Sequence, residues 1–441
     1  GRVDVEFNPE YQKLVLHRVE LFRNGQWHSR LKPGEITIAR REQQFEQEIS
    51  DGTVTALIVI EDVRVGDVIR VSYSIVGSNP ILAGETSEQT RLAIGHPILD
   101  LRLRVLYPAG TVVRVHRENG APEPTISNSG DATQVEIAAS RVARLLDEGD
   151  YPVWYQPYPL VQFAPQRSWA DVVAWALPLY PDRSTVKLPD DLELRIAQWK
   201  QLPTASAKLQ AALRAVQDEV RYFGVETGTS SHRPREPALV WQRHFGDCKD
   251  KAWLLVTLLG RLGVQAVPAL VDTDRGRSVR NFVPAADLFN HVIVRAVVDG
   301  ATVFVDPTLR LQGGTPRQGD LSRYGNVLPV VAGQGATEEI LPPPPADQIL
   351  WQRTLADALA IAKLRHQPLL LAINMDGESA SDRIYSERYR DPAFVAATRH
   401  CVCLGASVFR HNARDYDNQG CRIPCPRFGE ITCGEHIALE P

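Results

Sequence analysis

Apolar and polar positions alternate with a period of two over much of the first 150 residues. Leu14 to Leu21 partly alternates and runs into Arg23-Asn24-Gly25, a turn signal. Ala56 to Ile60 is a strand-like apolar run. Gly66-Asp67 marks another turn, and Val68 to Ile75 alternates as a half-buried strand does. Patterns of this kind, bounded by Gly and Asn turns, predict an antiparallel β-rich domain over residues 1–150. Tyr107-Pro108 and the polar stretch Arg117 to Gly130 read as loop.

Beyond residue 150 the period changes. Tyr151 to Pro159 is an aromatic, Pro-rich crossover, after which Ser168 caps a predicted helix. Asp191–Trp199 and Ala205–Val220 read as further helices. Ala252, Leu255, Val256, Leu259 and Leu262 keep helical spacing up to Gly263, a C-terminal stop, which puts Cys248 in the first turn of a helix with a buried face. Asp299-Gly300 predicts a two-residue hairpin between strands Asn290–Val298 and Ala301–Asp306. After the stiff run Leu341 to Pro345, Trp351–His366 reads as a helix and Pro368–Asn374 as a buried strand. Asp391–Ala397 reads as a second helix and Val402–Phe409 as a second strand. The fold class is therefore α+β in three parts, residues 1–150, 151–340 and 346–441, with no internal repeat.

Composition narrows the function. The chain has 441 residues, 44% hydrophobic and 23% charged, as ordinary globular proteins have. A formal net charge of -4 without a basic tract gives no case for a nucleic-acid partner. No apolar run reaches membrane-spanning length, so no transmembrane segment is expected in this chain. It opens at Gly1 without a signal-peptide pattern and reads as processed or cut from a longer protein.

Of six cysteines, only Cys248 lies in the first 400 residues, which excludes a disulfide framework there. It follows Gly246-Asp247 at a helix start, where a thiolate is stabilised. Two-residue hairpin register sets Ile293 opposite Asp306, with His291 its diagonal neighbour on the same face, at about 7–8 Å or less. A three-residue loop would put His291 on the other face. Cys248, His291 and Asp306 thus make a candidate nucleophile, base and orienting acid. Tyr222 is a side-chain candidate for oxyanion stabilisation beside the Cys248 backbone N–H. Taken singly, Cys248 reads as a small buried hydrophobe, His291 as a satisfied core or surface residue and Asp306 as a turn former; their mutual placement favours catalysis. Asp247, Lys249, Asp250 and Lys251 read as a solvated first turn, with Asp247 as the cap.

In the tail, Cys401 and Cys403 share a strand face. Cys421, Cys425, Cys433 and His436 have spacings that zinc could use, the alternative being buried thiols with one or two disulfides.

Gly246-Asp247-Cys248-Lys249-Asp250-Lys251-Ala252, Phe289-Asn290-His291-Val292-Ile293-Val294 and Val305-Asp306-Pro307-Thr308 resemble the bacterial transglutaminase-like superfamily. So do Val220 to Glu226 and Ser231-His232-Arg233-Pro234. Glu61 to Ile69 resembles the N-terminal domain of unknown function 3857 that accompanies it. The resemblance covers residues 1 to about 340. It implies a papain-like core, a Cys-His-Asp triad, peptide or protein amide substrates, no required cofactor, and a periplasmic or exported location. Residues 346–441 look like the first half of a thioredoxin-like domain, but Asp376 to Asp382 holds no Cys-x-x-Cys. The function expected is cysteine-dependent acyl transfer, as a transglutaminase-like enzyme or peptidase. The rivals are a non-catalytic protein- or peptide-binding module and a redox or metal module centred on the tail.

Overall fold

The computed structural model describes residues 1–40, 49–50, 52–82, 87–147, 149, 151, 154–225, 228–310, 319–341, 348–375, 378–417, 422–429 and 431–439. The alternating strands at the N-terminus pair as their pattern requires. Arg2–Phe7 and Thr37–Arg40 flank Val54–Val59, while Gln26–Ser29 and Val68–Val76 flank Lys13–Arg23. The inward residues Val5, Val19, Leu21, Ala56, Ile58 and Ile60 fill the space between these two three-stranded sheets. Asn24 and Gly25 both have positive φ (51° and 79°), which the tight turn between Arg23 and Gln26 needs.

A second pair of sheets follows. Ile98–Pro108 and Thr125–Ser129 flank Ala132–Val142; Glu88–Arg91 and Val113–Glu118 flank Leu160–Pro165. Leu92, Val135, Ile137, Val161 and Phe163 form their core. Two loop expectations are corrected here. Tyr107-Pro108 ends a long strand, and Thr125–Ser129 is a strand whose five residues are all exposed. An edge strand with both faces wet carries no alternation for a sequence reading to find. The strand Leu160–Pro165 lies past residue 150 yet completes an N-terminal sheet.

The central part is helical at first and then a sheet. Ser168 caps Trp169–Ala176 through a full capping box, and Thr204 caps Ala205–Glu219. A five-stranded antiparallel sheet runs Ala301–Val305, His291–Val298, Gln265–Val271, Asn326–Pro329, Glu338–Glu339. The helix Cys248–Arg261 packs on one face through Leu254, Leu255 and Leu258, against Leu270, Val292 and Val294. Leu321 and Tyr324 cover the other face over Ala269, Ile293 and Val327. The predicted hairpin forms with Val298 opposite Ala301 and Asp299 and Gly300 at φ 50° and 76°.

The Pro-rich run falls at residues 342–345, outside the described ones. After it, Trp351–Gln352 and Leu369–Asn374 flank Val402–Ser407 in a parallel three-stranded sheet, with Leu355–Arg365 connecting the first two in sequence. Trp351 is thus a strand residue, and the helix begins only after its cap, Thr354. Leu369–Asn374 is an edge strand with Leu371 and Ile373 exposed, which corrects the expectation of a buried strand. The helix expected over Asp391–Ala397 is Pro392–Ala397 with Asp391 as its cap. No helix among the described residues is long and apolar enough to cross a membrane.

Candidate active site

The junction Gly246-Asp247-Cys248 joins the short strand Phe245–Gly246 to the helix Cys248–Arg261. A Cβ on residue 246 would stand 2.8 Å from Asp250 Cβ and 3.1 Å from Val240 Cγ1, so the site demands glycine. Asp247 accepts from the Asp250 N–H at 3.1 Å and Asp250 accepts from the Asp247 N–H at 3.4 Å, a capping box. The expected solvated first turn is corrected: Asp247, Lys249, Asp250 and Lys251 are all buried. Each has an internal partner. Lys249 Nζ donates to Asp247 at 2.6 Å, Arg235 donates to Asp250 through its backbone N–H and Nη1 at 2.7 and 2.9 Å, and Lys251 donates to the Val220 carbonyl. Buried charges require such partners. Their geometry fixes the start of the helix and hence Cys248, which is itself buried at 4% exposure.

His291 and Asp306 meet across the hairpin. His291 Nε2 lies 3.0 Å from Asp306 Oδ2. The other carboxylate oxygen accepts from the Thr308 N–H and hydroxyl at 2.8 and 2.7 Å, and Tyr324 donates to Oδ2 at 2.6 Å. Gln217 holds the Asp306 carbonyl at 2.9 Å. With so many donors, Asp306 is ionised although fully buried: burial raises its pKa, but His291, Thr308 and Tyr324 lower it far below the usual carboxylate range. Burial works against charge on His291 too, and the Asp306 carboxylate and Cys248 outweigh it, raising the imidazole to about 10. The Cys248 sulfur is within hydrogen-bonding reach of that ring. An imidazolium backed by a carboxylate is the charge state this favours for the His291–Asp306 pair.

Cys248 and His291 line a cavity of about 580 Å³ with Trp175, Tyr180, Tyr222 and His232. On the strand Arg221–Tyr222, Tyr222 pairs opposite Gly246, two residues before Cys248, and lines the same cavity. Burial and the negative charges of Cys248, Asp247 and Asp250 push the Tyr180 hydroxyl far above its usual range, so it stays protonated. His232 is pushed down to about 4 by burial and by Lys249 and is neutral at ordinary pH. Its Nδ1 lies 2.8 Å from Ser231 Oγ, which accepts from Asn79 at 2.8 Å.

Sequence reasoning assigned no role to Thr308, Tyr324, Gln217, Arg235 or His232. Thr308 had a local signal, because a hydroxyl two residues after an aspartate closes on its carboxylate. Tyr324 and Gln217 reach the site from distant elements and had none. In the tail, Cys425, Cys433 and His436 converge, joined by His411, which was not among the expected ligands; Cys421 lies outside the described residues. Cys401, Cys403, Cys425 and Cys433 are free thiols.

Residues 1–145 match the family DUF3857, a domain of unknown function with a solved structure. No curated protein matches the sequence. Among solved structures, the chain is similar to a "putative protease" from Parabacteroides distasonis ATCC 8503, with a TM-score of 0.62 at 13% identity, over 85% of this chain and 67% of that one. It also aligns with a "putative cysteine protease" from Cytophaga hutchinsonii at a TM-score of 0.24 and 13% identity, over 50% of this chain and 71% of that one. The periplasmic domain of TgpA from Pseudomonas aeruginosa aligns at 0.21 and 14% identity, over 66% and 87%. At these identities the first likeness is one of fold, and the lower two scores carry no further weight.

Proposed function

We propose that this protein is a cysteine-dependent acyl-transfer enzyme acting on peptide or protein amides. Cys248 is the nucleophile, His291 the acid–base and Asp306 the orienting acid. The observation that carries the reading is the 3.0 Å His291–Asp306 contact, with His291 lining one cavity with the thiol at the first position of the helix Cys248–Arg261. The Cys248 sulfur adds to the amide carbonyl, forming C–S as the carbonyl becomes an oxyanion. The oxyanion collapses and C–N breaks, with the His291 proton going to the leaving amine. Water or a second amine then attacks the thioester, giving its proton to His291 as C–S breaks and the Cys248 sulfur is released, which completes hydrolysis or transamidation. The Cys248 backbone N–H stands at the first helical position, where an oxyanion donor belongs.

His232 supplies a second donor. Asn79 Oδ1 accepts from the Ile81 N–H at 3.1 Å, which turns its amide nitrogen toward Ser231. In the tautomer this role requires, the Ser231 hydroxyl donates to His232 Nδ1 and the neutral ring carries its proton on Nε2. Tyr222 is the alternative donor.

In this reading residues 151–340 form a transglutaminase-like, papain-like core, residues 1–150 its β-rich companion and residues 346–441 a partial thioredoxin-like segment. An exported location rests on the resemblance. Incubation with glutaminyl peptides, with and without a primary amine, should release ammonia or form cross-linked amide, and a peptide panel should show any cleavage. No acyl-enzyme with any substrate or electrophilic amide probe, alongside saturable peptide binding, would favour the non-catalytic binding module instead.

A further inference from the structure

The described ligand-bearing side chains of His411, Cys425, Cys433 and His436 converge within 4.8 Å of one another, far along the chain from the Cys248 site. We propose that they form a tetrahedral zinc site of two thiolates and two imidazoles that holds the C-terminal segment together. This is independent of the acyl-transfer reading.

The surroundings of each ligand are those a bound cation needs. Backbone N–H groups of Arg427 and Phe428 point at the Cys425 sulfur, in a turn that Gly429 closes at φ 69°. The N–H groups of His411 and Asn412 donate to Cys433 Sγ at 3.2 and 3.3 Å. A thiol is a weak acceptor, whereas a metal thiolate gathers such donors as its outer shell. Cys433 and His436 stand three residues apart on the helix Cys433–Ile437 and so share a face. His436 Nδ1 is 3.0 Å from the Ser407 carbonyl, which can only accept. The proton of the neutral ring is therefore on Nδ1, and Nε2 carries the ligating lone pair.

Spacing agrees. Zn–S bonds of about 2.3 Å and Zn–N bonds of about 2.0–2.1 Å in a tetrahedron give S···N edges of roughly 3.5 Å. Cys425 Sγ and His411 Nδ1 are 3.3 Å apart. Cys425 and Cys433 contact one another as free thiols. The mixed donor set, borderline-soft and closed, suits Zn²⁺.

The fold also needs the ion here. Between the strand ending at Ser407 and the helix beginning at Cys433, the described residues form only two isolated bridges, Tyr416–Arg422 and Cys425–Gly429. The apolar cluster beneath is small, built on Ile349, Trp351, Val395, Phe428 and Ile431. Irregular chain over a small core is where a metal cross-link adds folding free energy.

The test uses the full chain, produced with zinc in the medium and dialysed under reducing conditions. Mass spectrometry of the metal should give about one zinc per chain. X-ray absorption should show two sulfurs at about 2.3 Å and two nitrogens at about 2.0–2.1 Å. Cys433→Ser and His411→Ala should lose the ion, and Cys421→Ser should keep it. Should those variants fail to fold, the wild-type chain refilled with Co²⁺ must show the intense visible absorption of a tetrahedral thiolate–imidazole site. Chelation should open the segment after residue 346 to protease and spare residues 160–340. Zinc well below stoichiometry, iron or copper in its place, a Cys425–Cys433 disulfide, or loss of the ion in Cys421→Ser with retention in His411→Ala would each overturn the assignment.

Discussion

Asn79 donates its side-chain N–H to Ser231 Oγ at 2.8 Å, linking the N-terminal β region to the wall of the cavity that holds Cys248. Nearby, the Trp175 indole donates to the Ile81 carbonyl at 2.9 Å, and Ser87 donates to Asp287 at 3.0 and 3.1 Å. The β-rich region is therefore a supporting shell for the site.

From this comes the first prediction. If His232 Nε2–H polarises the substrate carbonyl, His232→Ala should cost about 10²–10³ in kcat, the range for one oxyanion donor. His232→Gln, which keeps a donor, should retain clearly more. Asn79→Ala should lower kcat about tenfold with little change in KM, by loosening the ring's orientation. Steady-state kinetics on all three variants check this. Equal losses for Ala and Gln at position 232 would make His232 a packing residue.

Cys248→Ala should abolish turnover, a drop of at least about 10⁴ in kcat. The thiol is small and the buried charges beside it are untouched, so the midpoint of denaturant unfolding should stay close to wild type. Loss of a covalent adduct with iodoacetamide, read by intact mass, gives a second check. Turnover in the variant would move the nucleophile elsewhere.

Asp306→Asn tests the His291–Asp306 pair. Without the carboxylate, burial is left to lower the His291 pKa, and kcat should fall by about 10³–10⁴, as with comparable orienting acids. The stability profile should change as well. Asp306, shifted down, contributes stability above its unfolded value of 3.8 and loses it as pH falls through its lower folded value. His291, shifted up, contributes fully below its unfolded value of 6.5 and loses it as pH rises toward about 10. Wild type should therefore lead Asp306→Asn by most between about pH 4 and 6.5, with the lead shrinking toward pH 10. Urea melts across pH measure it, and a constant lead would show that the pair is not titrating as described.

The parts of the site that could be read from sequence were those written in local chemistry. Asp299-Gly300 takes positive φ at both positions, so hairpin register followed from two residues and carried His291 and Asp306 to one face. The burial of Lys249 and Lys251 could not be read, because their partners Asp247 and the Val220 carbonyl are revealed only when the chain closes around them. Thr125–Ser129 was missed because an exposed edge strand has no hydrophobic period. His411 was missed because its convergence with Cys425 and Cys433 runs through irregular chain, where spacing carries no geometry.

The last prediction concerns the buried charges beside Cys248. Lys249 and Asp247 are in contact at 2.6 Å with almost no exposure. Asp247→Asn keeps the shape and a capping oxygen but leaves Lys249 beside a neutral amide, which should cost about 3–5 kcal/mol, the range for breaking a buried pair from one side. Lys249→Met should cost less, since Arg235 remains 3.7 Å from Asp247 and offsets its charge. The double variant buries neither charge. If the two side chains form an energetic pair, it should be more stable than Asp247→Asn alone, with an interaction energy well beyond the roughly 0.5 kcal/mol scatter of independent sites. Chemical denaturation of the four proteins closes the cycle. Simple additivity would mean that the helix start is held by its capping box and by Arg235–Asp250 alone.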